Sequence, residues 1–139
     1  YREGWNPSDT DDLNLHILWI KKVDEPWTDT TRQRLADIHP MAENYDGHTL
    51  EWHRKELAKH TATDKILIYY TDGQMPAANP EEELEVMLRE LDLMGRAGIK
   101  KLAVGINTDS PSRYGFDTVQ VDSDEDLTKV VKQLERVLL

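Results

Sequence analysis

The sequence contains no cysteine, which excludes disulfide bonds, thiolate zinc sites and cysteine nucleophiles. The absence suits a reducing compartment, and we expect the protein in the cytoplasm. The chain also has no apolar run near the ~20 residues that a membrane-spanning helix needs, and it shows no secretory signal. A membrane is therefore not expected among its partners.

Positive charge is scarce as well. The 17 Lys and Arg residues stand against 27 Asp and Glu, a formal net charge of −10. Such a surface repels phosphate backbones, and no basic stripe offsets it, so nucleic acid is not an expected partner. The segment Gly95-Arg96-Ala97-Gly98 lacks the spacing and the lysine of a phosphate-binding loop. Cations, or a basic patch on another protein, fit the acidic balance better.

The length of 139 residues predicts one domain, residues 1–139, with residues 1–12 as an irregular lead-in. Short apolar runs predict strands at 15–20, 65–70, 101–106 and 118–121. Helical spacing predicts helices at 27–38, 47–59, 80–94 and after 122–126. This alternation predicts an α/β fold with a mostly parallel sheet flanked by helices on both faces.

The third predicted helix starts at Pro80, and the three glutamates that follow place negative charge at the positive end of the helix dipole. Its apolar face is predicted from the helical spacing of Leu84, Met87, Leu88, Leu91 and Met94.

The most informative segment is the strand Ile66 to Tyr70, which leads directly into Thr71-Asp72-Gly73. The acid follows the carboxyl end of the strand, where open α/β sheets place their ligands. A carboxylate at this point can hold a metal ion or a catalytic water. The alternative is an ordinary Asp-Gly turn after a strand.

Five short motifs along the chain together resemble one known family. They are Asp24-Glu25-Pro26-Trp27, Asn44-Tyr45-Asp46-Gly47 with Leu50, Thr71-Asp72-Gly73, Leu102 to Ile106 with Arg113-Tyr114, and Val121-Asp122 with Asp124, Glu125 and Leu127. In this order they resemble the von Willebrand factor A-type (vWA) domain at the C-terminus of CobT, a subunit of the aerobic, ATP-dependent cobaltochelatase. The likeness covers residues 13–139 and implies a vWA, Rossmann-like three-layer sandwich.

One motif of that family is missing. vWA domains usually begin with a strand that ends in Asp-x-Ser-x-Ser and supplies the first metal ligands, and this sequence has no such motif. We therefore expect the fold to be incomplete at its N-terminus, with the first strand on the same natural polypeptide; the alternative is a copy of the domain that has lost the motif. A sheet without that strand exposes an apolar edge.

The resemblance implies a metal-ion-dependent adhesion site for Mg²⁺ or another divalent cation. Asp72 and Asp46 would be the metal ligands, and Thr71 and Asn44 would contact these ligands rather than the ion. The site can be unoccupied when the first ligands are missing. A carboxylate of a partner protein completes the coordination in such sites. For Asp46 the alternative is N-capping of the helix just before Gly47.

The resemblance also implies the partners. A CobT-type subunit works in a hetero-oligomer with an AAA+ ATPase and a large chelatase subunit, and couples ATPase motion to cobalt insertion in cobalamin biosynthesis. No catalytic residue is then expected in this domain. One alternative is the partner of another, MoxR-like AAA+ ATPase in protein remodelling or metal loading. Another is a stand-alone hydrolase that uses Asp72, with Thr108, Asp109 and Ser110 nearby.

Two further groups of polar residues are better explained by structural roles. His48 and His53 are five residues apart, and His60 follows after seven, so none repeats the i, i+4 spacing of a helical zinc site. The acidic stretch Asp122 to Asp126 is typical of a solvated helix start that interacts with the helix dipole.

Overall fold

The computed structural model describes residues 17, 19–39, 44–74, 79–122 and 127–138, without the side chains of residues 127, 134, 137 and 138. The chain forms two compact units, Tyr1–Asn44 and Tyr45–Leu139. The expectation of a single domain stays a prediction, and the irregular lead-in 1–12 lies outside the described residues.

The described part of the first unit contains one helix, α1 (Asp29–Ala36), within the predicted range 27–38. A reciprocal capping box fixes its start, because the backbone N–H of Thr31 donates to Thr28 Oγ1 and that of Thr28 donates to Thr31 Oγ1. The predicted strand 15–20 is not observed at residues 17, 19 and 20, and its other residues lie outside the described ranges. A short apolar run does not by itself specify a strand, since pairing decides.

The second unit is built around three parallel strands. In chain order its elements are α2 (Asp46–Ala58), β1 (Ile66–Thr71), α3 (Pro80–Arg96), β2 (Lys100–Ile106), a 3₁₀ helix (Ser110–Tyr114), β3 (Asp117–Val121) and α4 (Leu127–Leu138). The strand order is β1-β2-β3, and both pairs are parallel. Thr71 lies opposite Gly105, so β1 and β2 end at the same edge of the sheet. The predicted α/β class is confirmed.

Both faces of the central strand are buried. On one face, Ala103 joins Leu67 in a core cluster with three residues of α3, namely Met87, Leu91 and Met94. Because successive side chains of a strand point to opposite faces, Leu102 and Val104 lie on the other face, and both are buried. The helix α4 packs against β2 and β3. This two-sided burial explains why the strand has a continuous apolar sequence.

With 17 residues α3 is the longest of the described helices, none of which is long and apolar enough to cross a membrane. Its buried face differs from the predicted one. Leu88 is 44 % exposed, whereas Glu83 and Glu90 are 3 % and 1 % exposed. These two glutamates are seven residues apart and therefore share the face of Met87. Each has a cationic or amide partner on α2, which compensates the burial of its charge.

The helix α2 approaches α3 closely at Gly47. A Cβ atom at this position would lie 2.5 Å from the carbonyl oxygen of Glu83 and 2.9 Å from the amide nitrogen of Met87. Both neighbouring atoms belong to the backbone of α3, which cannot rotate away. Glycine is therefore required here by the distance between two helices, and this contact places the N-terminus of α2 beside the end of β1.

Candidate functional site

The loop after β1 forms one wall of the site. The backbone N–H of Gly73 donates to Thr71 Oγ1 at 2.9 Å, and the N–H of Gln74 donates to Asp72 Oδ1 at 3.0 Å. The predicted turn after the strand is thus present, held by the side chain of Asp72. Asp72 is itself exposed at the carboxyl edge of the sheet. A turn of this kind therefore leaves the carboxylate accessible to a ligand.

Asp46 forms the second wall and is only 9 % exposed. Its Oδ2 atom is buried without a hydrogen-bond partner among the described residues. Burial raises the pKa of this carboxyl group, a hydrogen bond from Tyr69 lowers it, and the charges of Glu83 and Asp72 raise it further. The negative charge of Asp46 is therefore buried with too few hydrogen-bond donors, and the carboxylate of Asp72 lies near enough to repel it.

The alternative of an N-cap at Asp46 is wrong. Asp46 is the first residue of α2, and the N-cap residue is Tyr45, whose side chain makes no capping bond. Glu83 of α3 replaces the cap, because its Oε2 accepts the N–H of Gly47 at 2.9 Å and that of His48 at 3.4 Å. Its other oxygen contacts Nδ1 of His48. A carboxylate from a neighbouring helix thus satisfies the free amides of α2.

Tyr69 connects the two walls and was not predicted as a site residue. Its hydroxyl group bonds to Asp46 and to Thr71, and burial followed by the charge of Asp46 raises the pKa of the phenol. The ring stacks on Phe116 with centroids 5.3 Å apart. A period of two places Tyr69 and Thr71 on the same face of β1, and this pattern could have identified Tyr69.

The donor set of this edge suits a hard divalent cation. Mg²⁺ prefers oxygen ligands and is usually bound by one or two carboxylates together with waters. Asp46 and Asp72 supply two carboxylates, and the orphaned Oδ2 atom of Asp46 supplies a buried acceptor. Within the described ranges, no group of three or more His, Cys, Asp or Glu side chains is placed to hold a metal. The residues therefore fit part of a magnesium site.

The other predicted site residues are placed as follows. Thr71 lies beside Asp72, where its Oγ1 atom is already bonded to Gly73. Asn44 is exposed and ends the first unit, so its supporting role stays a prediction. Asp122 accepts a hydrogen bond from Gln120 at 2.7 Å, and residues 123–126 lie outside the described ranges.

The histidines of α2 have structural contacts. His48 pairs with Glu83, and the ring Nδ1 of His53 lies 2.7 Å from the carbonyl oxygen of Thr49 on the preceding turn. The His53 ring also meets Trp52 edge to face at 5.0 Å. Contacts within α2 and with α3 thus account for both side chains.

We expect the substitution Asp46→Asn to stabilise the metal-free protein at neutral pH by on the order of 1 kcal/mol. The asparagine removes the charge that is buried beside Glu83 and Asp72, and it keeps an oxygen for the Tyr69 hydroxyl. Because the pKa of Asp46 is raised in the folded state, wild-type stability falls as the pH rises from the ordinary pKa of an aspartate through the higher pKa of the folded protein. The gain should therefore be absent in acid and present at pH 7.

Urea denaturation in EDTA at several pH values measures this gain. Asp117→Asn is the matched control, because Asp117 is exposed at the opposite end of the sheet. A variant Asp46→Asn that is less stable than the wild type at pH 7 would contradict the burial argument.

The comparisons with known proteins give one result. The family model described as the VWA domain of the cobalamin biosynthesis protein CobT matches residues 2–139. Neither the comparison with curated proteins nor that with solved structures gives a match. The match spans nearly all of the sequence, and the parallel sheet agrees with a partial fold of this type. The chain therefore belongs to the family of CobT VWA domains, as its motifs predicted.

Proposed function

We propose that this domain is the metal-dependent interaction module of a CobT-like cobaltochelatase subunit. In this role it binds other proteins in the cytoplasm and couples an AAA+ ATPase to a large chelatase subunit that inserts cobalt during cobalamin biosynthesis. The membership in the CobT family supports the pathway. The chemistry of the carboxyl edge supports the mode of binding.

The observation that carries the proposal is the buried Oδ2 atom of Asp46 without a hydrogen-bond partner. Leaving a buried acceptor unpaired is costly, and a carboxylate more so. The same carboxylate is repelled by Asp72 at the edge of the sheet. A divalent cation between these two side chains compensates both charges, which explains why the cost is tolerated.

The two aspartates have different tasks in this proposal. Asp46 is held by α2 and by the Tyr69 hydroxyl, so it supplies a fixed ligand. Asp72 is exposed and supplies a ligand that faces the partner protein. A Mg²⁺ ion bound by both would keep coordination positions for a carboxylate of the partner. The domain then binds its partner through the cation and carries out no reaction itself.

The test is a Mg²⁺ titration of the protein followed by thermal unfolding. A ligand that binds only the native state raises the midpoint progressively with its concentration, and the gain in stability is about 2.7 kcal/mol at a hundredfold excess over Kd. We expect Asp72→Ala to abolish this rise and Asp46→Ala to do the same. Asp72→Ala should leave the stability in EDTA near that of the wild type, because Asp72 is exposed.

Asp117→Ala again serves as the control, since it removes an exposed carboxylate from the other end of the sheet and should keep the full response. The same variants are then compared for Mg²⁺-dependent binding to the AAA+ ATPase subunit. Unchanged responses in both Asp46→Ala and Asp72→Ala would exclude a metal bridge at this edge.

A further inference from the structure

The loop after β2 contributes a polar group that no motif predicts to be a ligand. Ser110 begins the 3₁₀ helix, and its Oγ atom is buried without a hydrogen-bond partner among the described residues. Its backbone N–H donates to Thr108 Oγ1 at 3.1 Å, which fixes the loop. Ser112, two residues further on, is exposed, and its hydroxyl donates to the carbonyl oxygen of Asp109 at 2.8 Å. Only the first of these two hydroxyl groups is thus left unsatisfied.

Ser110 lies against the loop that carries Asp72. A Cβ atom on Gly73 would stand 2.4 Å from Ser110 Oγ and 2.8 Å from Thr108 Oγ1. Gly73 also has a φ of +80°, a conformation that glycine adopts without strain. The two loops therefore meet at van der Waals distance, and the hydroxyl groups of the second occupy the space that a side chain of the first would need.

The orphaned Ser110 hydroxyl and the orphaned Asp46 carboxylate both lie beside Tyr69. A small cavity next to Ser110 is lined by Gly73, Thr71 and Tyr69 on the β1 side, and its other walls are Met87, Pro111 and Tyr114. The Tyr69 hydroxyl in turn bonds to Asp46 and Thr71. Buried polar atoms without partners are rare in native proteins, so two of them in one region point to a shared ligand.

We propose that the Ser110 hydroxyl is a third oxygen donor of the cation site formed by Asp46 and Asp72. This inference rests on the proposed function, since it concerns the same cation. Serine and threonine hydroxyls bind Mg²⁺ elsewhere in proteins, as in phosphate-binding loops. Ser110 adds an uncharged oxygen to two carboxylates, which gives three protein donors from α2, from the β1 loop and from the β2 loop.

The first test is Ser110→Ala against Ser112→Ala, with Mg²⁺ alone as the probe and thermal unfolding as the readout. We expect Ser110→Ala to fold with unchanged or higher stability in EDTA, because it removes an unpaired buried group. Its apparent Kd for Mg²⁺ should rise by at least about tenfold, because even the loss of a group that only positions a metal ligand weakens metal binding by that much. Ser112→Ala should keep the wild-type Kd.

A second test changes the preferred metal. The chain has no cysteine, so Ser110→Cys introduces a single thiol. A thiolate favours soft cations over Mg²⁺. We expect Ser110→Cys to lose the Mg²⁺ response and to gain a concentration-dependent rise in midpoint with Cd²⁺, which Ser112→Cys does not show.

The outcomes separate this inference from the proposed function. A wild-type Mg²⁺ response that Ser110→Ala leaves unchanged would overturn the role of Ser110 alone. No response in the wild type would overturn the metal bridge and the role of Ser110 together. A weaker response in Ser110→Ala with a Cd²⁺ response in Ser110→Cys would establish the third donor.

Discussion

Glu83→Ala is expected to lower the free energy of unfolding by about 3 kcal/mol. Glu83 is 3 % exposed and holds the N-terminus of α2 through the amides of Gly47 and His48. Alanine leaves the amide of Gly47 buried without an acceptor, removes the partner of the His48 ring and opens a cavity between α2 and α3. Urea denaturation with analysis of midpoint and slope measures the loss.

Glu85→Ala is the matched control, because Glu85 lies on the exposed face of the same helix. Its stability should remain within about 0.5 kcal/mol of the wild type. Glu83→Gln keeps one oxygen for the Gly47 amide, and we expect it to lose less than Glu83→Ala. Equal stability of Glu83→Ala and Glu85→Ala would show that α2 does not depend on the carboxylate from α3.

Arg54→Met is expected to cost about 3 kcal/mol, since it leaves a buried glutamate without its main partner. Nε of Arg54 on α2 donates to Oε2 of Glu90 on α3, which is 1 % exposed. Arg89 also contacts Glu90 at 3.1 Å, but its side chain is 56 % exposed. The pair with Arg54 is therefore the one shielded from water.

Arg96→Met is the control, because Arg96 pairs with Asp92 on the surface of α3, and exposed pairs contribute less than about 1 kcal/mol. The double substitution of Arg54→Met and Glu90→Met replaces the buried pair by apolar side chains. It should recover most of the stability, as buried ion pairs often do when both members are removed. If the double substitution does not recover stability, the lower stability of Arg54→Met comes from poorer packing between α2 and α3 rather than from the unpaired charge of Glu90.

Local patterns in the sequence determined the framework of the second unit. The apolar runs identified β1, β2 and β3 to within one residue at each end, because two-sided burial produces continuous apolar strands. Pro80 marked the first residue of α3, since proline is favoured in the first turn of a helix. The strand predicted at 15–20 is not observed at its described residues 17, 19 and 20, because a short apolar run carries no information on pairing.

Sequence motifs also located the two aspartates, but not their environments. Asp72 follows a parallel strand, and the carboxyl end of such a strand is a position that sequence can predict. The burial of Asp46 depends on the close approach of α2 to α3 at Gly47, which joins residues 36 positions apart. Glu83 looked like one of three equal charges at a helix start, and only the second helix distinguishes it.

The sequence by itself therefore determined the helices and strands of the second unit, the α/β class, the family and the edge of the sheet that carries Asp72. The tertiary structure alone decided that Glu83 caps α2, that Tyr69 bonds Asp46 and that Ser110 lies against Gly73. The physical reason is the range of the interactions. Periodicity and turn chemistry act within a few residues, whereas burial and unsatisfied hydrogen bonds arise only when distant segments pack together.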